Sequence, residues 1–461
     1  MKSPFGIHID QAVIDVCARL RQKGGQAYLV GGCVRDLVLR LAPKDYDIEV
    51  YNLTMDKLKS ALSEIGKCQQ VGKSFGVIKL WTGKHEIDVS LPRVERKIAT
   101  GHKGFSVQFD PDLLPQEASS RRDFTINAMM LDPVTDELLD FHGGLDDLEE
   151  KLLRHITPAF EEDPLRVLRA MQFAARFGLS LHKDTAARCR GLLGEANSLA
   201  IERIWVEWRK WADAAFPACG LQALRDSGWV ELYPEINELI GCPQDAEWHP
   251  EGDVWTHTCL VVDQAAEVAD RYAWAQERRW ILLFAALVHD MGKPATTYSD
   301  EQMRTRSTAH SLEGLKPAAT FMQRIGAPVS ISDCLPPLVK EHLTHLHGEP
   351  TERAVRRLAQ RLEPVDVELW EALVEADASG RSPLPPARPG LPWLLKATEQ
   401  KVHQGKPSPI VSGQLLMELG MKPGPEMGRL IHIAYEAQLD GQFSDETEAE
   451  MWCRKRLSDP V

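Results

Sequence analysis

No uninterrupted apolar run in this chain reaches the ~20 residues that a membrane-crossing helix needs, and the opening MKSPFGIHID has no apolar signal core. No membrane partner is expected, and the cytoplasm is the expected location. Cysteine pairing is missing too. Nine cysteines, an odd number, are scattered without a CxxC pair, which suggests reduced thiols rather than a disulfide frame. Positive charge is in short supply: 54 Lys plus Arg against 67 Asp plus Glu leaves a formal charge of -13, which argues against non-specific adhesion to nucleic acid. A local basic groove is still open, with Arg203, Arg209 and Lys210, or Arg353, Arg356, Arg357 and Arg361, as candidates; arginines at those spacings are more often a solvated helix face. At 461 residues and 43% apolar content, two to four domains are expected.

What is present centres on the stretch from Tyr28 to Tyr51. An apolar run ends in Gly31-Gly32, a short helix-like segment carries Arg35 and Asp36, and a second strand-like run holds Asp45 and Asp47. Residues two apart on a strand share a face, so the two carboxylates project together and repel unless a divalent cation sits between them; oxygen donors of this kind suit Mg2+. Glycines after a strand let backbone N–H groups approach a phosphate, and Arg35 is near enough to add a fork of donors. Taken singly, a DxD is usually a solvated strand end, a GG a turn, and Arg35 with Asp36 a surface pair. Together in one strand-turn-helix-strand unit they point to nucleoside triphosphate chemistry.

The pattern predicts an amphipathic helix over about Gln11 to Lys23, a second over Thr54 to Gly66 with Thr54 as N-cap, and strands in VGKSFGVIKLWT and KHEIDVSL. Asp88, in EIDVS, is expected on a strand beside that of Asp45 and Asp47, as a third carboxylate or as a structural or solvated one. From Pro92 to Ser120 periodicity vanishes, and the segment is expected to lack regular structure and to be either functional or disordered. Arg121-Arg122-Asp123 then leads through Asn127 into an apolar strand, MMLDPV, offering donors for phosphates and an acceptor for a ribose hydroxyl. Glu162-Asp163-Pro164-Leu165-Arg166 opens a helix that Gly178 ends. Asp163 and Arg166 share one face, either as an ion pair at a helix start or as an acceptor and a donor fork for a base edge. The chain from about Leu145 to Asp245 reads as helical, with Trp205, Trp208 and Trp211 at helical spacing expected in a core.

GGCVRD, KDYD, RRDFTINAM and EEDPLRVLRAMQFAARF, in this order between Tyr28 and Gly178, resemble the class II tRNA nucleotidyltransferase and bacterial poly(A) polymerase family. The resemblance implies an α+β chain: a polymerase β-like, mixed α/β nucleotidyltransferase head over residues 1–145, then an all-α neck over 146–247 carrying the nucleobase-selecting helix. It implies that Asp45 and Asp47 bind the catalytic Mg2+; Asp88, from its strand position, is added as the candidate third catalytic carboxylate. Gly31, Gly32 and Arg35 would hold the triphosphate, and Arg121, Arg122, Asp123 and Asn127 would contact the incoming nucleotide's phosphates and sugar; Arg169 is counted with them as nucleotide-binding. Asp163 and Arg166 would read the Watson–Crick edge of C or A in place of a template.

A second constellation begins at His257, which heads one apolar helix, while His289-Asp290 in HDMGK ends another; His310, His342, His345 and Asp377 follow. A lone histidine is usually a satisfied polar residue, but imidazoles and carboxylates spread over successive helices make a site for one or two divalent metals. Residues 248–380 resemble the HD phosphohydrolase domain. That implies His257, His289, Asp290 and Asp377 as ligands of a divalent transition metal such as Ni2+, Mn2+ or Co2+, and His310 and His342 as ligands of a second metal or phosphate contacts. Residues 381–461 would comprise a Pro-rich linker, within GRSPLPPARPGLPW, and a C-terminal helical RNA-binding region in which Pro-Gly-Pro opens a helix, for an RNA phosphate or simply for packing.

The expected function is CCA addition to tRNA 3′ ends from CTP and ATP, with a phosphohydrolase activity appended, in a monomer or dimer that does not act on DNA. Family members that add only A, only CC, or poly(A) carry nearly the same motifs. CC-only members typically lack an intact flexible loop where Pro92 to Ser120 stands, which favours an enzyme able to add A; none of Arg93, Glu95, Arg96 and Lys97 is singled out as its coupling residue. A reading of another class, a regulatory phosphohydrolase whose head only binds RNA, leaves the metal carboxylates without a task.

Overall fold

The computed structural model describes residues 9–71, 76–83, 85–97 and 105–458. By density of contacts the chain divides into two compact units, Met1–Arg203 with Gln222–Trp229, and Ile204–Leu221 with Val230–Val461. The four-part partition drawn from the sequence is finer, and its boundary at 145/146 falls inside the first unit.

In the first unit, the apolar run before Gly31-Gly32 forms strand β1, Gln26–Val30, and the aspartate-bearing run forms β2, Tyr46–Tyr51, antiparallel to it with Leu29 opposite Ile48. Strands β3 (Lys67–Val71), β4 (Val77–Thr82) and β5 (His85–Ser90) lie on one side of this pair. A ribbon of β6 (Arg93–Lys97) and β7 (Phe105–Phe109) follows, and then β8 (Met130–Asp132) and β9 (Glu137–Leu139). The main sheet has seven strands in the order β3-β4-β5-β2-β1-β8-β9, and β2 runs parallel to β5 with Asp47 paired to Asp88. Ile48, Val50, Ile78, Leu80, Ile87 and Val89 form the buried side of this sheet. Thr54 caps the helix Met55–Ile65, its Oγ1 accepting from the Lys57 N–H at 3.5 Å. The helix Leu165–Phe177 ends at Gly178 with φ +65°, where a left-handed cap is easiest for glycine.

The segment from Pro92 to Ser120 departs from expectation. It holds the β6–β7 ribbon, with Arg93 opposite Phe109, and the short helix Pro115–Ser119. RVERK contains a single apolar residue and leaves no hydrophobic alternation to read, whereas FSVQF alternates apolar and polar residues and was the available signal for a strand. The side chains of Glu95, Arg96 and Lys97 lie outside the described residues.

The second unit is helical. Helices Val254–Tyr272, Gln276–Val288, Leu335–Glu341 and Val367–Ser379 surround the histidines, and a small core of Val411, Leu416, Met427, Ala434, Phe443 and Cys453 forms near the C-terminus. Trp208 and Trp211 are fully buried, Trp208 meeting Tyr233 and Phe321 edge-on, while Trp205 stacks on Phe284 at 5.6 Å. The basic-groove candidates are engaged by partners within the chain instead. Arg353 and Arg357 bind Asp440, Arg361 binds Glu341, and Arg356 donates to the Leu439 carbonyl and Gln400. Arg209 lies over the Trp280 ring, Lys210 pairs with Glu207, and, in the first unit, Arg203 pairs with Asp163. Acidic partners on neighbouring elements decide this, and the spacing of arginines along one helix carries no record of them. All nine cysteines are free, and among the described residues no helix is long and apolar enough to cross a membrane.

Because Trp208 is enclosed by other rings, Trp208→Ala is expected to lower stability by about 3–5 kcal/mol, the usual cost of emptying an aromatic core position. Chemical denaturation followed by far-UV circular dichroism checks this.

Candidate active site and metal centre

The turn after β1 brings three elements together. Gly31 has φ +76°, and a Cβ there would lie 2.8 Å from Arg122 Nη1 and 3.7 Å from Asp47 Oδ2. The missing side chain is what lets the guanidinium close over this turn beside the carboxylate. Asp45 occupies the bend just before β2, and both Asp45 and Asp47 are exposed. Protein crowds Asp47 nonetheless: loss of solvation pushes its carboxyl up, Arg122 pulls it down, and the charges of Asp88 and Asp45 push it further up. Asp88 Oδ1 is buried without a hydrogen-bond partner, and Lys79 Nζ stands 3.6 Å from it. An all-oxygen set of crowded carboxylates fits a hard divalent cation.

Glu49 belongs to this site, although the sequence reading passed over it. It is buried on the face shared with Asp47, accepts from Tyr51 Oη at 2.9 Å, and lies 3.9 Å from Arg122 Nη2. The two-residue spacing that linked Asp45 to Asp47 extends to Glu49 and was the available signal.

Asp123, Asn127 and Arg35 interlock beneath the turn, and all are buried. Arg35 donates through Nε and Nη2 to Asp36 Oδ1 and through Nη1 to Asn127 Oδ1, and its guanidinium lies 4.3 Å from the Phe177 ring centroid. It is therefore committed to protein partners, whereas the sequence suggested an open fork for phosphate. Asn127 Nδ2 donates to Asp123 Oδ1 at 2.9 Å, and Arg169 grips Asp123 Oδ2 with two donors. Burial would raise the Asp123 carboxyl, but the charge and hydrogen bonds of Arg169 and the Asn127 amide hold it below the usual range. Asp36 is shared with Arg176 at 3.2 Å.

Asp163 precedes the helix Leu165–Phe177 instead of lying in its first turn. Its Oδ1 accepts the Leu165 N–H at 3.0 Å, and its Oδ2 takes Arg203 Nη2 at 2.9 Å. Arg166 donates to the backbone carbonyls of Ala159 (2.8 Å) and Arg121 (3.0 Å). The two side chains thus have separate partners, and the last bond ties the helix Leu165–Phe177 to the Arg121-Arg122-Asp123 segment. Arg121 itself is half-buried.

In the second unit the histidines converge. His257, His289, Asp290, His342 and Asp377 are buried, and His310 nearly so. Three groups have mutually close donor atoms: His257, His289 and Asp377; Asp290, His310 and His342; and His249, Glu251 and His257. His257 Nε2 is 3.2 Å from Asp377 Oδ1, His289 Nε2 is 3.2 Å from Asp290 Oδ2, and His310 Nε2 is 3.3 Å from both Asp290 Oδ1 and His342 Nε2. His257 Nε2 and His289 Nε2 have no hydrogen-bond partner. Buried, unpartnered imidazole nitrogens beside carboxylates are a donor set that fits one or two divalent transition metals. Burial opposes ionisation of Asp290, but His289 and Lys293, 2.6 Å away, hold it well below the carboxylate range; His257 and Arg381 do the same for Asp377. Burial and the nearby His289 push His342 down to about 3, so it remains neutral. His345 turns its Nδ1 to the His342 carbonyl.

The sequence reading also missed His249 and Glu251. Glu251 Oε1 lies 2.8 Å from Nδ1 of both His249 and His257. Burial alone would raise this carboxyl, but the two imidazoles bring it down to about 2. HPEGD, immediately ahead of the helix that carries His257, was the readable sign.

The family model for the poly A polymerase head domain matches residues 27–154, and that for the HD domain matches residues 254–373. The chain is 38% identical over 344 residues to a multifunctional CCA protein of Pasteurella multocida (strain Pm70), covering 73% of this chain and 78% of that one. A multifunctional CCA protein of Xanthomonas campestris pv. campestris (strain B100) is 36% identical over 365 residues, 77% and 85% of the two chains. Among solved structures, the Bacillus stearothermophilus CCA-adding enzyme in complex with CTP superposes with a TM-score of 0.66 at 22% identity, covering 99% of this chain and 98% of that one. The Thermotoga maritima CCA-adding enzyme complexed with tRNA gives 0.60 at 18% identity, covering 97% and 96%. These two likenesses concern the fold.

Gly31 allows a direct test. Gly31→Ala adds both backbone strain and a methyl group against Arg122, whereas Gly83→Ala, at φ +57° with open space around it, adds strain alone. CTP affinity measured by titration is expected to fall at least about tenfold, roughly 1.4 kcal/mol, in the first variant and to stay near wild type in the second.

Proposed function

This chain belongs to the family of the multifunctional CCA proteins, and on that premise we propose that it is a template-independent tRNA nucleotidyltransferase that adds CCA to tRNA 3′ ends from CTP and ATP, releasing pyrophosphate, with a second, HD-type phosphohydrolase activity. The observation that carries the reading is the β2–β5 register, which sets Asp88 against Asp47 next to Asp45, below a glycine turn closed by Arg122. A head that only binds RNA has no use for this arrangement.

Asp45 and Asp47, with Asp88 behind, hold Mg2+. When bound, Mg2+ supplies the positive charge that favours attack by the RNA 3′-hydroxyl and steadies the leaving pyrophosphate. Arg122 and the backbone N–H groups at Gly31-Gly32 receive the triphosphate. Arg35 acts from below as a positioning residue, keeping Asn127 and, through it, Asp123 in place, with Arg121 and Arg169 completing the nucleotide's surroundings. Asp163 as acceptor and Arg166 as donor fork read the edge of C or A, each giving up one of its present partners to do so. The presence of the long segment from Pro92 to Ser120 at the family's flexible-loop position favours a chain that adds the terminal A as well as both C residues. In the second unit, His257, His289, Asp290 and Asp377, joined by His310 and His342, hold a transition metal such as Ni2+, Mn2+ or Co2+ for phosphate ester hydrolysis, and Lys293 fixes Asp290.

The test uses the full chain with Mg2+ and three tRNA transcripts, ending at the discriminator base, after C and after CC, with CTP and ATP supplied separately and together. All three are expected to grow to a common CCA end. Extension of the CC-ended transcript alone would make this an A-adding enzyme, and an open-ended A ladder a poly(A) polymerase. Asp47→Ala is expected to abolish extension on a folded chain, and substantial residual extension would overturn the metal assignment.

A further inference from the structure

The imidazoles of the metal centre are held in place by a common device, with one exception. His289 turns Nδ1 to the carbonyl of Ala286 at 2.8 Å, His310 to that of Ser307 at 2.7 Å, and His342 to that of Val339 at 2.6 Å. In each case the acceptor is the carbonyl three residues back. A carbonyl can only accept, so Nδ1 carries the proton and Nε2 presents its lone pair to the centre. His257 differs. It lies in the opening turn of the helix Val254–Tyr272, and the nearest group to its Nδ1 is the carboxylate of Glu251, with Oε1 at 2.8 Å. Glu251 arrives from the loop ahead of that helix and has a side-chain exposure of 1%. The loop is well anchored: Asp253 accepts from Gly241 N–H at 2.7 Å and caps the helix through Thr256, and Val254 N–H donates to the Cys242 carbonyl at 3.0 Å.

We propose that Glu251 is a positioning residue for the metal centre: its buried carboxylate holds the proton of His257 on Nδ1 and so aims the Nε2 lone pair at the cation, the task that backbone carbonyls perform for His289, His310 and His342. The proposal rests on the HD reading of this centre, but Glu251 and His249 lie outside the range matched by that domain's model, 254–373. The Glu251–His257 contact is 2.8 Å long but off the line of an ideal hydrogen bond, with Glu251 Oε2 and His257 Nδ1 both lacking a partner at good angles. A modest turn of the ring aligns the pair, and a carboxylate, unlike a carbonyl, makes the imidazole it supports a stronger donor to the cation. His249, with Nδ1 2.8 Å from the same oxygen, closes the outer side of the carboxylate and is not a ligand.

The probe is Co2+ added alone to the metal-free full chain, with its visible absorption reporting the ligands and a competing chelator giving the affinity. Wild type is expected to bind, and His257→Ala to lose an imidazole ligand from the spectrum. Failure of wild type to bind would overturn the HD reading itself, before Glu251 is tested. Glu251→Ala is expected to keep the stoichiometry but lose about 10–100-fold in affinity. Glu251→Gln, which retains an accepting oxygen without the charge, is expected to fall between them, and it serves as the reading variant if Glu251→Ala does not fold. His249→Ala is expected to stay within about twofold. Affinity in the Glu251 variants within twofold of wild type would overturn the proposal, as would loss of one whole ion on changing Glu251 or His249, which would make them ligands.

Discussion

Two aspartates at equivalent positions on neighbouring parallel strands are an electrostatic liability, and the first unit is arranged around that liability. The β2–β5 register sets Asp47 against Asp88 with Asp45 one residue outside the strand. The register cannot slip to relieve the repulsion, because a one-residue shift would turn Ile48, Val50, Ile87 and Val89 out of the core. The hydrophobic side of the sheet therefore holds the carboxylates together, and compensation has to come from elsewhere. Arg122 supplies part of it across Gly31, Lys79 supplies part at Asp88, and the remainder is what the proposed divalent cation would offset.

Behind this surface the compensation is complete. Arg35 with Asp36, Arg169 with Asp123 and Arg203 with Asp163 are each satisfied by near partners, so little charge is left unmatched away from the carboxylates. The second unit meets a similar problem with different donors. Its carboxylates, Asp290 and Asp377, are kept ionised in a buried setting by histidines, Lys293 and Arg381, and its imidazoles are oriented from outside by backbone carbonyls and by one carboxylate. Oxygen-only donors in one unit and mixed nitrogen and oxygen donors in the other suit different ions, a hard cation and a transition metal.

Much of this was legible in the sequence, because the relevant information is local. Thr54, Gly178 and Gly31 occupy positions set by cap and turn chemistry a few residues long, and the alternation around Asp45 and Asp47 shows which side chains share a face. The histidines could be collected from spacing and resemblance, since each sits at or near a helix end. What escaped was set by partners far along the chain. Arg35 reads as a free donor until Asn127, 92 residues on, and the ring of Phe177 are found against it. The arginines at 353–361 read as a basic face until Glu341, Glu436 and Asp440 meet them. The β6–β7 ribbon was missed although Phe105, Val107 and Phe109 alternate in β7, because its partner RVERK has a single apolar residue and offers no matching strand pattern. Glu49 and Glu251 were readable in principle, the first from two-residue spacing and the second from its place before a histidine-bearing helix.

The central claim, that Asp45 and Asp47, crowded by Asp88 across the β2–β5 pairing, share a cation, is tested most directly by a crystal of the full chain grown with Mn2+ and CTP and measured for anomalous scattering. The account predicts a peak about 2.2 Å from carboxylate oxygens of both Asp45 and Asp47, alongside one at the histidine centre. A peak at the histidine centre, with bound CTP visible and none between the two aspartates, would contradict it.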